Sequence, residues 1–382
     1  MNRRALFALL PACLLAAAPA RADITIGAVL SLTGPGASLG IPERNIIEML
    51  PRELAGQKLR FVILDDASDS TAAVKNFQKL VTEEKVDLVI GPTVTPTSLA
   101  VLDAAGTSGT PFISLAGSEA VIVPQEGNRR WAFKLPASEA LMLAAPLDRL
   151  KAQGVTSLAS IALSTAFGDA FVAAAKAEAG KRGIEWLGDE RYAPGDTSVT
   201  PQTLKTIAKN PGAVFIASSG TPGALPVIEL KARGYKGVVV HNQGIANPDF
   251  LRVAGKAADG MILASSAVTV AEQLPDSIAM KRPALEYVKL YEGKFGPGSR
   301  SLFGAWAWDG FLLFSAALPA ALKAGEPGTA GFRTALRDAM EQVKDLGGTC
   351  GVYSMSPANH NGTDQRALVL ITVENGTWKL LP

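Results

Sequence analysis

The strongest constraint on this chain is a repeated alternation. Short runs of aliphatic and β-branched residues are each followed by a helix-forming stretch of 10–16 residues. Ile24–Leu30, Leu59–Leu64, Val86–Ile90 and Pro111–Ser114 have the composition of strands. Between them, helices are predicted over Glu43–Leu54, Thr71–Glu84 and Ser98–Ala105. The rhythm then repeats, with strands at Leu158–Leu163, Ile184–Arg191, Ala213–Ala217, Gly237–His241 and Met261–Ala264. Helices alternate with them at Leu141–Gln153, Phe167–Arg182, Thr200–Lys209, Gly223–Arg233 and Pro283–Phe295. Such an order makes βαβ units, whose right-handed crossovers build parallel sheets covered by helices on both faces. Two further helices follow at Ser301–Leu322 and Thr329–Glu341, and a tail of strands at Val352–Leu380 turns at Asn359–Gly362 and Asn375-Gly376.

At 382 residues the chain exceeds one ordinary domain, so two α/β lobes are expected. The 37 basic and 35 acidic residues argue against a nucleic-acid surface, which needs a basic excess. Two cysteines cannot make a disulfide scaffold, and two distant histidines, His241 and His360, leave little for metal chemistry. No metal or cofactor is expected.

Met1–Asp23 combines Arg3-Arg4, a short apolar run and Ala20-Arg21-Ala22, the pattern of a secretory signal peptide over residues 1–22. The apolar run is too short for a membrane span. Cleavage near Ala22 would export the protein to the periplasm and remove Arg3, Arg4, Arg21 and Cys13. The remainder would hold 34 basic and 35 acidic residues, a formal charge of −1. Any preference for an anion would then have to be local.

In open α/β sheets, ligands bind beyond the carboxyl ends of the strands. Short polar loops with glycines follow the strand ends here, at Ser31–Gly40, Gly91–Ser98, Ser114–Ser118, Ser164–Gly168, Ser218–Gly223 and His241–Asn247. Converging from two lobes, they would offer hydroxyls and backbone N–H groups to a small molecule. Gly34–Gly40 fails the dinucleotide fingerprint by one residue, and Pro35 removes a donor. Asp65-Asp66 lacks a partner cluster and reads as a strand-end turn. Ser218, Ser219 and Thr221 lack a nucleophile elbow, and neither histidine has a triad context. A secreted α/β hydrolase or amidase is therefore the weaker alternative. Trp306 and Trp308 lie two apart on a helix and point to different faces, which favours core packing. Trp131 is expected in the core, His360 in a solvent-facing turn and Cys350 as a buried free thiol.

Several motifs, in order, resemble the type I periplasmic binding proteins of the branched-chain amino acid transporter family. They are Ile26–Pro35 with Gly40, Leu64–Asp69, Ile90-Gly91-Pro92, Pro111–Ser118, Phe167-Gly168, His241–Gly244 and Ala305–Asp309. The resemblance implies two lobes joined by three crossover segments, 24–134 plus 266–344 and 135–265 plus 345–382. It also implies a monomeric binder, not an enzyme, that delivers a small carboxylate to the membrane permease of an ABC transporter. Carried over position by position, Thr95 matches a carboxylate-binding Ser. Ala116 and Ser118, in the Ser114–Ser118 loop with Gly117, match groups that hold the ligand's α-substituents. Leu39 and Phe303 match apolar contacts.

Two departures point away from amino acids. Gln243 stands where the family has a Glu for the α-ammonium, and Phe167 replaces a Tyr. Ser219, beside Gly220, stands near another Tyr and leaves room for a bulkier ligand. His241 shares the strand end with Gln243 and is expected to face the cleft. The expected ligand is an aromatic or 2-oxo acid such as benzoate or cinnamate, with branched-chain or other hydrophobic amino acids as the runner-up.

Overall fold

The computed structural model describes residues 23–382. The expected signal peptide, residues 1–22, lies outside the described residues.

A first sheet uses β1 (Ile24–Leu30), β2 (Glu53–Leu54), β3 (Gln57–Asp65), β4 (Leu88–Ile90), β5 (Phe112–Ser114) and β6 (Ala132–Lys134), in the order β2-β3-β1-β4-β5-β6. Every residue of β1 is buried, as a central parallel strand covered on both faces requires. One face carries α2 (Ser70–Thr82), α3 (Thr95–Ala100) and α4 (Leu102–Ser108), with Phe77, Leu80 and Val101 in its core. The other carries α1 (Ala37–Met49) and three late helices, α10 (Lys281–Phe295), α11 (Leu302–Ala324) and α12 (Ala330–Glu341). Helix α11 is long and apolar enough to cross a membrane, but it packs as a core helix against α1 and α12.

The second sheet takes β7 (Ser157–Leu163), β8 (Glu185–Tyr192), β9 (Ala213–Ala217), β10 (Val238–His241) and β11 (Ile262–Ser265), all parallel. A small hairpin, β12 (Leu346–Gly347) and β13 (Val352–Tyr353), precedes β14 (Val369–Glu374) and β15 (Thr377–Leu380); β14 extends the second sheet antiparallel to β11, and β15 pairs antiparallel with β14. The order is β15-β14-β11-β10-β9-β7-β8. Helices α5 (Glu139–Ala152) and α6 (Ala166–Lys181) cover one face. On the other lie α7 (Thr200–Ala208), α8 (Ala224–Ala232) and α9 (Pro248–Ala254).

The connection direction reverses between β1 and β4 in the first sheet and between β7 and β9 in the second. Crevices beyond the carboxyl ends of strands open at such switch points.

Several elements differ from expectation. Helix α1 starts at Ala37, six residues before Glu43, because the turn after β1 closes within Gly34–Gly36 and Pro42 is accommodated inside the helix. A methyl on Gly40 would lie 2.2 Å from the Ser31 carbonyl oxygen, so the helix can sit this close only with glycine there. Helix α3 starts at Thr95, which makes that residue its first. His360 is buried rather than solvent-facing. Its ring stacks on Phe133 at 4.1 Å, and its Nε2 lies 3.1 Å from Glu341. Asp65 and Asp66 do serve the strand end: Asp65 accepts from Leu32 N, Thr33 N and the Thr33 hydroxyl, and Asp66 accepts from the Ser31 hydroxyl at 2.7 Å.

The segment that crosses between the sheets after α12 is pinned by one buried carboxylate. Asp309 of α11 accepts from Thr349 N (2.8 Å), the Thr349 hydroxyl (2.9 Å), Cys350 N (2.9 Å) and the Tyr353 hydroxyl (2.9 Å). Accordingly Cys350, Tyr353 and Met355 pack into the core of the first sheet. Asp309→Ala would strand these donors, each costing roughly 1–3 kcal/mol unsatisfied. It is expected to lower stability by about 3 kcal/mol or more in urea unfolding; a loss below about 1 kcal/mol would contradict the anchoring role.

Candidate functional site

All six strand-end loops meet at one cavity of about 280 Å³ between the two sheets. The first sheet contributes Leu39 after β1, Thr93 and Thr95 after β4, and Leu115 and Gly117 after β5. The second contributes Thr165 and Phe167 after β7, Ser219 and Pro222 after β9, and Asn242, Gln243 and Gly244 after β10. Helix α11 adds Phe303 and Trp306, α5 adds Met142, and α6 adds Phe171. The loops beside both switch points thus face one space.

The two sides touch around it. A methyl on Gly117 would come within 2.9 Å of the Phe167 ring, and one on Gly220 within 2.9 Å of the Ser38 hydroxyl. Gly220 also has φ +62, ψ −157, a backbone region open essentially to glycine alone. The cleft is therefore closed, and two glycines permit it.

The chemistry of the lining is one-sided. Among the described residues, no side chain lining the cavity is charged. Apolar surface comes from Leu39, Leu115, Met142, Leu163, Phe167, Phe171 and Phe303. Against it stand polar groups with no partner in the protein. The Thr95 hydroxyl is buried and unpaired, and so are Gln243 Nε2 and the Trp306 indole nitrogen. Gln243 is oriented from behind: Ser266 Oγ donates to its Oε1 at 3.3 Å, which leaves the amide NH2 for the cavity. A buried carboxyl, Glu43, stands behind Thr93, whose hydroxyl donates to it at 2.5 Å. Complete burial raises the Glu43 pKa well above the ordinary carboxyl value.

Similarity to known proteins follows the same lines. A family model described as "Periplasmic binding protein" matches residues 23–377. The chain belongs to this family. A Leu/Ile/Val-binding protein of Rhizobium johnstonii is 24% identical over 285 residues, 73% of this chain and 77% of the relative. An extracellular ligand-binding receptor of Rhodopseudomonas palustris HaA2 superposes with a TM-score of 0.91 at 39% identity, over 94% of this chain and all of that one. A solute-binding protein of an ABC transporter from R. palustris BisB5, solved with 3,4-dihydroxybenzoic acid, shares the fold at a TM-score of 0.78 and 22% identity, covering 93% and 95% of the two chains. Periplasmic solute-binding proteins bind small molecules for ABC permeases and are not enzymes.

Of the residues that sequence places in the binding cleft, the structure brings Leu39, Thr95, Gly117, Phe167, Ser219, Gln243 and Phe303 to the cavity wall. The others stand off it. Ser114 spends its hydroxyl on Ser98 at 2.8 Å, tying the end of β5 to α3. Ala116 donates its N–H back to Ser114. Ser118 caps the short turn Glu119–Val121 by accepting from Ala120 N. Gly220 packs on α1 at the cleft edge.

His241 is the clearest correction. Its ring is fully buried inside the second sheet's core, edge-on to Phe250 at 5.9 Å, and Nδ1 lies 3.1 Å from the Asn242 carbonyl oxygen. Desolvation pushes its pKa down to about 3, so it is neutral and cannot pair with an anion. The chain turns into the cleft only after β10, at Asn242 and Gln243. Trp306 belongs to the core, as expected, but also lines the cavity, which sequence reasoning missed. It lies three residues after Phe303 and so shares its helix face, a spacing that could have revealed it.

Two outcomes follow. Gly117→Ala would press on Phe167 and is expected to weaken ligand binding about tenfold or more by calorimetry, as closure is resisted; unchanged affinity would contradict contact at this point. Unfolded His241 binds a proton near pH 6.5 while the folded form resists it, so its stabilising contribution is present above about pH 6.5 and lost as pH falls toward 3. His241→Leu is therefore expected to flatten the acid loss of stability and to leave ligand affinity within about twofold. A large loss of affinity would return the ring to the cleft.

Proposed function

We propose that this protein is the exported, monomeric binding component of an ABC uptake system and that its cleft takes a small carboxylate with an aromatic or otherwise bulky apolar body. Benzoate, cinnamate and related 2-oxo acids fit this description. One observation carries the reading: the cleft offers buried, unpaired donors, Thr95 Oγ1 and Gln243 Nε2, and no charged side chain. An anion's oxygens satisfy such donors. An α-ammonium would be buried without a carboxylate partner, a cost of several kcal/mol. The Phe167, Phe171 and Phe303 rings supply an apolar wall, and a volume of about 280 Å³ suits a ligand of modest size. The complex of the R. palustris BisB5 protein with 3,4-dihydroxybenzoic acid shows that this fold can accept such an acid. Hydrophobic amino acids remain the second reading, favoured by the Leu/Ile/Val-binding relatives.

A thermal-shift panel of aromatic acids, 2-oxo acids and aliphatic amino acids tests this reading. A ligand at 100 times its Kd adds about 2.7 kcal/mol, which moves the midpoint by several degrees in a protein of this size. Aromatic acids are expected to shift the midpoint; a shift with leucine or valine alone would overturn the ligand class and leave the family untouched. Gln243→Glu would set a carboxylate against the ligand's own and is expected to weaken benzoate binding about tenfold or more. Unchanged affinity would remove Gln243 from the carboxylate's surroundings.

A further inference from the structure

Trp306 has no role in the reading above. Its side chain is only 2% exposed, yet it lines the cavity, and its indole N–H has no acceptor in the protein. Buried tryptophan N–H groups ordinarily find one. The ring is held firmly: Phe303, one helical turn before it, stands edge-on at 5.0 Å and 86°. Its neighbour Trp308 is half-buried and packs against the first sheet's core, to which Trp306 itself belongs. Elsewhere Trp131 lies under the Arg337 guanidinium at 4.6 Å, Trp378 stacks on Phe250 at 6.3 Å, and Trp186 packs against the core beneath α5 and α6. Trp306 alone of the five tryptophans combines an unpaired buried N–H with a place in the cleft wall.

We propose that the Trp306 indole N–H is a ligand donor: it hydrogen-bonds an oxygen of the bound molecule. With Thr95 and Gln243 it completes a donor set drawn from α11, the loop after β4 and the loop after β10, without a formal positive charge. A rigid indole donor has one direction and no acceptor function, so it selects for an oxygen at a fixed place in the ligand. The specificity of the cleft then rests partly on a residue of the core helix. This inference rests on the reading that the ligand carries oxygen acceptors.

The test is the nuclear magnetic resonance spectrum of the ¹⁵N-labelled indole N–H groups, recorded on the whole protein with benzoate, 3,4-dihydroxybenzoate and leucine in turn. Trp306→Phe, which keeps an aromatic ring and removes the donor, identifies the signal. Should that variant fold poorly, through-space contacts to the Phe303 ring identify it in the unaltered protein. The Trp306 signal is expected to move strongly downfield at saturation, and Trp306→Phe to weaken binding about tenfold or more with its melting temperature near that of the parent. If an aromatic acid saturates the cleft while the Trp306 signal stays in place and Trp306→Phe binds within about twofold, the inference is overturned and the aromatic-acid reading stands. If leucine alone saturates it, that reading fails, and the leucine-bound spectrum judges Trp306 by the same criterion.

Discussion

A polar group sealed from water without a partner is costly, and this molecule closes two sheets on a set of them. Thr95, Gln243 and Trp306 each present a buried hydrogen-bonding atom to the same cavity and receive nothing from the protein. In the reading proposed above, the bound molecule supplies their partners. Ligand binding and cleft closure are thereby linked: a molecule with oxygen acceptors compensates the desolvation that closure imposes, and one without them does not. Selectivity comes from what is absent as well, since an ammonium entering this space meets no carboxylate.

The groups behind the cavity support this arrangement. Ser266, on the segment leaving β11, orients the Gln243 amide. Asp309 fixes the segment leaving α12 to the core helix that also carries Phe303 and Trp306. At the segment leaving β6, Lys134 is completely buried, and its ammonium donates to the carbonyls of Pro136 (2.5 Å) and Ala137 (3.0 Å). Burial pushes its pKa down to about 8, opposed by the carboxylates of Glu139 and Glu119. The chain passages between the sheets thus hold buried polar contacts, and two of them connect directly to elements that line the ligand space.

Much of this was legible from sequence. Parallel strands buried on both faces must be continuous apolar runs, and helices must follow them, so β1, β7 and β9 could be placed within a residue or two. The strand-end rule then located all six loops of the cavity. Precision failed where a side chain's direction mattered. His241 and Gln243 are two residues apart, but the chain leaves the strand between them, and one ring turns into the core while the other side chain reaches the cleft. Ser114, Ala116 and Ser118 are in a lining loop yet spend their polar groups on each other and on local turns. His360 looked exposed because Asn-His-Asn-Gly is turn chemistry; its burial depends on Phe133 and Glu341, both distant in sequence. Trp306 was hidden because a tryptophan on an apolar helix is ordinarily core.

The central claim is that the cleft accepts a carboxylate and rejects an α-ammonium. Calorimetric titration with 3-phenylpropanoate and with phenylalanine, which differ only by the α-ammonium group, tests it most directly. Burying that group unpaired costs several kcal/mol, so 3-phenylpropanoate should bind at least about 100-fold more tightly. Phenylalanine binding as tightly or more tightly would contradict the account.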